Sequence, residues 1–304
     1  MTQRRPRGYL GIKVDVDTLV GHRKGVPRLL GQLEEAGVRA TFFFSAGPDR
    51  SGVAIRRVFT QRGFLAKMLR NKAPSTYGLR TLLQGTLLPA PVILEAAPDI
   101  VGEVARAGHE VGVHGWDHIE WHDHLYSMSR EQVRDQLRRA FDAVEKAAGA
   151  RPTCFAAPGW QCSSSSLAWH DSEGLAFASD VRGSGGPFLP RIGDTTFATP
   201  QVPTNLPTLD EVWGRQVRSA EDAAAHWLRL LQAGANVVTV HAEIEGLAMP
   251  SALPSLVAGA LSLGMDVGPI GPIVTGLRRS ELPVRTIAPA VLPGRAGRVW
   301  CIME

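Results

Sequence analysis

Lys13-Val14-Asp15-Val16-Asp17-Thr18 closes a run in which Leu10, Ile12, Val14 and Val16 are apolar and share one face, while Asp15 and Asp17 point to the other. Strict alternation of this kind predicts a β-strand over residues 8–17. Two carboxylates side by side at the end of an apolar strand repel each other and lose hydration, unless a positive group stands beside them. A metal ion resolves that conflict; so does solvation at a loop edge. The hexapeptide alone leaves both open.

The flanking sequence says what kind of sheet the strand belongs to. Pro27 can open a helix that carries Leu29, Leu30 and Leu33 on one side and stops at Gly37; Val38 to Phe44 then reads as a second strand. Strand, short helix, strand is a βαβ unit and implies a parallel sheet. Further strands are predicted at His109–His114, Thr153–Ala157, Leu175–Ser179 and Asn236–Val240. Between them, Ile93 to Ala107 reads as helical with a break at Pro98. Ser129-x-x-Gln132 is a capping box for a helix with a Val133, Leu137, Phe141, Val144 stripe and a stop at Gly149. Ser219 with Asp222 caps a helix carrying Trp227, and Pro254 to Leu263 is the last helix. The Gly-, Pro- and Thr-rich stretch 183–207 is expected to be a long irregular loop. The Arg-rich tail from Arg278 is expected to be poorly ordered or draped over the surface. No internal repeat or linker divides the chain, so residues 1–275 read as one domain and 276–304 as a tail.

Composition sets the broad class. The 304 residues are 44% hydrophobic and 20% charged with a net charge of +4, an ordinary globular balance. Three cysteines make no disulfide framework and fit a reducing compartment. Arg4, Arg5 and Arg7 precede only a short apolar run, a poor signal peptide, and no stretch approaches the ~20 apolar residues of a membrane span. A cytoplasmic protein is expected.

Residues 50–94 differ from the rest: the span holds no Asp or Glu. Arg56, Arg57, Lys67, Arg70 and Lys72 alternate with Phe64, Met68 and many leucines. Basic and large apolar residues without acids suit contact with an anionic membrane surface. The segment is too aliphatic to favour nucleic acid. The plainer alternative is a helical insertion whose basic residues face water.

Chemistry-bearing residues collect at strand ends. Asp15 and Asp17, His114, Asp180 and His241 each follow a predicted strand, where barrels of parallel strands gather catalytic groups. His114 and His118 are four apart, and so are His118 and His122; His114 directly follows the apolar Val111-Gly112-Val113, which favours the first pair. With one Asp they form a two-imidazole, one-carboxylate set that leaves positions for water and substrate. His109, His122 and His124 are then surface or supporting residues. His241, at the end of an uncharged strand, is either a core histidine or a general acid, with Glu243 able to orient it or to touch substrate.

In their order, the D-V-D of Asp15 to Asp17, the H-G-W-D-H of His114 to His118 and the V-T-V-H ending at His241 resemble the polysaccharide deacetylase (NodB-homology) family of metal-dependent carbohydrate esterases. The resemblance covers about residues 8–275 and implies a distorted (β/α)7 barrel. It implies a divalent metal (zinc, cobalt, manganese or nickel) on Asp17, His114 and His118, with Asp15 as general base and His241 as general acid. Trp160, Asp180, Arg182 and Glu243 are then substrate or supporting residues, with a backbone N–H near Trp160 stabilising the oxyanion. Stretches such as Gln201-Val202-Pro203-Thr204-Asn205 and Thr239-Val240-His241-Ala242-Glu243 narrow the resemblance to members that remove an N-formyl group from a sugar on undecaprenyl phosphate at the inner face of the bacterial inner membrane. One departure stands out. The family has an Arg ahead of the Pro that follows the middle strand; here Phe155-Ala156-Ala157-Pro158 has none, leaving Arg182 and Lys13 as substitutes. A deacetylase of another N-acylated sugar and a non-catalytic binder of the carrier lipid are the alternatives. The βαβ pattern disfavours a non-haem iron oxygenase, which would use similar ligands.

Overall fold

β1 (Gly8–Val16) lies between two parallel neighbours, β2 (Thr41–Phe44) and β8 (Gly234–His241). This computed structural model describes residues 8–56 and 83–303, with side chains outside 54–56. β3 (Glu110–Val113), β4 (Cys154–Phe155) and β5 (Phe177–Ala178) extend the sheet beyond β2, and the order is β5-β4-β3-β2-β1-β8. β9 (Asp266–Gly268) pairs with Tyr9–Gly11, on the flank that β2 occupies further along β1. The described strands of this sheet all run parallel.

The edge strands β5 and β8 are joined by the segment 200–206. Ala178 N donates to Pro200 O at 2.8 Å and Thr204 N to Val181 O at 3.1 Å on one side; Leu206 N donates to Val237 O at 3.2 Å on the other. Val237 N adds a bond to Asn205 Oδ1 at 2.7 Å. A ring of parallel strands closed by an irregular segment is the distorted barrel expected. The stretch 183–207 is therefore more than a loop: it also contains β6 (Leu189–Ile192) and β7 (Thr195–Thr196).

The alternation in β1 divides the molecule into two cores. Leu10, Ile12, Val14 and Val16 are fully buried on the outer face, in one cluster with Leu29 and Leu33 of α1 (Val26–Glu35), Val101 and Val104 of α2 (Asp99–Arg106), and Trp227 of α5 (Ala220–Leu230). The cluster also takes in α4 (Arg130–Ala148), where the predicted capping box at Ser129 is formed and Gly149 ends the helix at φ +79°. The inner face holds a smaller apolar cluster of Phe43, Cys154, Ala156, Phe177, Val202, Val237 and Ile270, with Lys13 and Asp15 buried beside it. Gly112 makes room for this cluster: a Cβ there would stand 2.5 Å from the Phe43 ring and 2.7 Å from Cys154 Sγ. A one-residue slip of β1 would exchange these faces and drive Lys13 and Asp15 into the aliphatic outer core, where neither charge has a partner.

The tail corrects an expectation. β10 (Val284–Ala290) and β11 (Val299–Ile302) form a second sheet with β6 and β7 in the order β11-β10-β6-β7. Ile287, Val299 and Trp300 are buried, packed on Cys162, Val181, Phe188 and Trp160. Interspersed Pro and Gly hid two short strands whose apolar residues have partners only in the folded chain.

Candidate active site

Parallel pairing in register brings the strand ends into one place. Asp15 is directly opposite His241 on β8 and Phe43 on β2. Phe44 is opposite Val113, so His114 emerges one residue beyond, and its N–H donates to Phe44 O. His118 begins α3 (His118–His124), whose start is fixed by the Asp117 side chain accepting from Glu120 N at 3.0 Å.

Asp17, His114 and His118 each present one donor atom, and the three atoms lie within 4.8 Å of one another. His114 Nε2 is 3.2 Å and His118 Nε2 3.6 Å from Asp17 Oδ1. Donors about 2.1 Å from a tetrahedral cation stand roughly 3.4 Å apart, so these separations fit a divalent ion. His114 Nδ1 is 2.7 Å from Ala156 O, which makes Nδ1 the protonated nitrogen and leaves the Nε2 lone pair facing Asp17. Asp17 Oδ1 is buried without a hydrogen-bond partner. Burial raises the Asp17 pKa, but the His118 and His114 imidazoles outweigh it and hold the carboxyl well below the usual range.

Asp15 has one engaged oxygen and one open one. Lys13 Nζ is 3.2 Å from Oδ2 and His114 Nε2 3.9 Å, while Oδ1 has no partner. Beside it, His241 Nδ1 is also without a partner. Burial opposes protonation of His241, yet Asp17, Asp210, Glu245 and Asp15 together carry its pKa above the ordinary value.

The supporting residues take places that the sequence did not specify. Glu243 Oε1 accepts from Asp17 N at 3.2 Å, Thr18 N at 2.9 Å and Thr18 Oγ1 at 2.7 Å, so it holds the turn that carries Asp17 instead of orienting His241. Gly21 allows this: a Cβ there would lie 2.0 Å from Glu243 Oε1. The backbone of His241 is held by Glu245, whose Oε2 accepts its N–H at 2.7 Å. Asp180 accepts from Ala157 N at 3.0 Å and from Gln201 Nε2 at 3.0 Å, bracing the strand end beside Ala156. Burial, ahead of those contacts and the Lys13 charge, pushes its pKa up to about 7.

Arg182 does not reach Asp15. It pairs with Glu211, Nη1 to Oε1 at 2.6 Å, donates to Thr204 O and Leu206 O, and packs over the Trp160 ring at 4.8 Å. Arg295 covers the same ring at 4.5 Å and reaches Glu211 at 3.3 Å. Trp160 is buried at a φ of +53°, and its backbone N–H donates to Ala157 O at 3.0 Å, so that backbone group is not an open oxyanion donor. Sequence reasoning missed Glu245 and Glu211, which lie in helical turns of four or five residues, and Gln201, in the irregular closing segment; all three stretches are too short to show a period. Lys13 was legible by alternation, on the Asp15 face of β1. Of the other histidines, His122 bonds the Asp123 side chain and His109 Nδ1 accepts from Ala40 N.

Arg57, Phe64, Lys67, Met68, Arg70 and Lys72, and the side chain of Arg56, lie outside the described residues. The base of that insertion meets the site: Arg50 Nη1 is 2.9 Å from Asp117, the residue before His118. On the returning strand of chain Leu87 is 81% exposed. Among the described residues no helix is long and apolar enough to cross a membrane.

Comparison with known proteins agrees with this geometry. The sequence profile of the polysaccharide deacetylase family matches residues 7–177. A Shewanella sediminis protein named 4-deoxy-4-formamido-L-arabinose-phosphoundecaprenol deformylase is 34% identical over 262 residues, 86% of this chain and 84% of its own length. A Wigglesworthia glossinidia brevipalpis protein of the same name is 28% identical over 91% of this chain and 96% of its own. A polysaccharide deacetylase structure from Mycobacterium smegmatis shares the fold, with a TM-score of 0.66 at 21% identity, over 96% of this chain and 97% of that one.

Proposed function

The chain belongs to the polysaccharide deacetylase family, and from that premise we propose that it hydrolyses the formamide of 4-deoxy-4-formamido-L-arabinose-phosphoundecaprenol, giving formate and the free 4-amino sugar lipid. The product serves lipid A modification and resistance to cationic peptides such as polymyxin. The observation that carries the reading is the convergence of Asp17, His114 and His118 with Asp15 and His241 at one end of the barrel.

In this reading Asp17, His114 and His118 hold a divalent cation, which supplies Lewis acidity to the formamide oxygen and to water. Asp15 takes the proton of the attacking water at Oδ1, its open oxygen. His241, one strand over, gives a proton to the departing amine nitrogen as the C–N bond breaks. The carboxylates around His241 favour the protonated imidazole that this step requires. The bonds balance: water adds to the formyl carbon, the amide C–N bond breaks, and formate leaves as the nitrogen becomes an amine. Asp180 and Glu243 act on the scaffold, fixing the strand end beside His114 and the turn that carries Asp17.

The substrate is held on a lipid, and the insertion suits it. Arg50, half-exposed, marks the edge of the barrel beside Asp117 and Glu120, and with the exposed Leu87 it brackets the basic, apolar insertion in sequence. We read this edge as a peripheral contact with the anionic inner face of the bacterial inner membrane.

The test is formate release from the formylated aminoarabinose lipid, with and without chelator and with zinc, cobalt, manganese or nickel restored. Release that stops with chelator and returns with metal is expected. Folded, metal-loaded protein that releases no formate but deacetylates another sugar would move the assignment to that acyl group.

A further inference from the structure

We propose that Lys13 is the positioning residue for Asp15, holding one oxygen of its carboxylate from within β1. The inference rests on the reading of Asp15 as general base.

Lys13 and Asp15 are two apart on one strand, so both project into the barrel. The Lys13 side chain is wholly buried, and its Nζ stands 3.2 Å from Asp15 Oδ2 and 3.5 Å from Ser179 O. The Trp160 and Phe43 rings lie 5.0 and 5.7 Å from it. A buried ammonium is costly unless it is paired, and an apolar chain of the same length would pack against both rings without that cost. The place for a cation is therefore set by the carboxylate. The other cations on this wall, Arg182 and Arg295, both pair with Glu211, and Arg182 also donates to two carbonyls. Lys13 holds Oδ2, the oxygen that also lies 3.9 Å from His114 Nε2, and leaves Oδ1 as the open atom that accepts a proton. Trp160, wedged by Arg182 and Arg295, walls Lys13 off from water. The second sheet thereby supports the base from behind: Val299 and Cys301 of β11 pack on Trp160.

The experiment compares wild type with Lys13→Met, Lys13→Arg, Asp15→Asn and the Lys13→Met/Asp15→Asn pair, for kcat, KM, metal stoichiometry and, on metal-free protein, melting temperature. Lys13→Met should lower kcat by about 10²-fold, with KM and metal content changed less than roughly two-fold, because the base is misplaced while the cation site is intact. Lys13→Arg should recover part of the loss. In the Asp15→Asn background, removing Lys13 should cost little further kcat, and the melting temperature of the pair should exceed that of Lys13→Met alone, since no carboxylate is left stranded. A Lys13→Met that fails to fold while the pair folds reports the same coupling. Additive losses in kcat and melting temperature, or a loss carried by KM or metal content, would overturn the proposal. If the wild type releases no formate, the proposed function falls, and the melting-temperature cycle alone decides whether the two residues act as a pair.

Discussion

Replacing Glu243 with Ala and with Gln should separate the two things a buried carboxyl can do here. Its Oε1 accepts three hydrogen bonds, from Asp17 N, Thr18 N and Thr18 Oγ1, and the side chain is fully buried. Alanine leaves these donors without their acceptor. A buried unsatisfied donor costs about 1–3 kcal/mol, and the Thr18 hydroxyl can turn to another acceptor, so two stranded backbone N–H groups predict a loss of roughly 2–6 kcal/mol. Glutamine keeps an acceptor oxygen of the same reach. Burial and the neighbouring Asp17 charge push the Glu243 pKa up, toward the neutral acid that glutamine mimics. Glutamine should therefore cost less than about 1.5 kcal/mol. Because the turn carries Asp17, alanine should also weaken divalent metal binding about 10–100-fold, the usual effect of removing a group that orients a ligand. Urea unfolding of the metal-free protein reads the first effect and competition with a chromophoric chelator the second. Equal losses for Ala and Gln would refute the reasoning, because they would place the role in the carboxyl charge and not in the acceptor.

The remaining predictions address the site, pH and the membrane. His114→Ala should abolish metal binding and turnover together, whereas His241→Ala should abolish turnover with metal still bound; loss of metal from the His241 variant, by elemental analysis, would contradict its assignment as the acid. Asp180 has a folded pKa near 7 against about 3.9 unfolded, so between these values the folded state holds a proton the unfolded state has lost. Its contribution is therefore fully present below pH ~4 and declines as pH rises toward 7, by no more than about 1.4 kcal/mol per pH unit. Asp180→Asn should become more stable relative to wild type over that range in urea titrations, and a constant difference would argue against a protonated buried acid. Charge reversal of the basic residues in 56–72 together with Leu87→Asp should release the protein from anionic vesicles in flotation assays; unchanged flotation would reject the membrane edge.

Much of the fold was readable because its signals are local. The alternation of Leu10, Ile12, Val14 and Val16, the Ser129 capping box and the break at Pro98 each depend on residues a few positions apart, and each element stands where it was expected. The second sheet was not readable. Ile287 and Trp300 become buried only by meeting Val181 and Phe188, on a distant stretch of the chain, and no pattern within the tail announces those partners. The closing segment 200–206 was hidden for the same reason: it bonds to two strands while having no regular strand pattern of its own.

By itself the sequence determined the residue types of the chemistry and the strand ends that carry them, since a period of two residues assigns Lys13, Asp15 and Asp17 to one face and the aliphatic residues to the other. Only the tertiary structure decided which groups meet. The pairing of Asp15 with His241 follows from the register of two strands more than two hundred residues apart. The choice of Lys13 over Arg182 beside Asp15 follows from Glu211, which captures the arginine. Glu243 holds the Asp17 turn because two loops, after β1 and after β8, pack closely enough to put a carboxyl on a backbone. These contacts are set by distance in space, and residue spacing along the chain does not encode them.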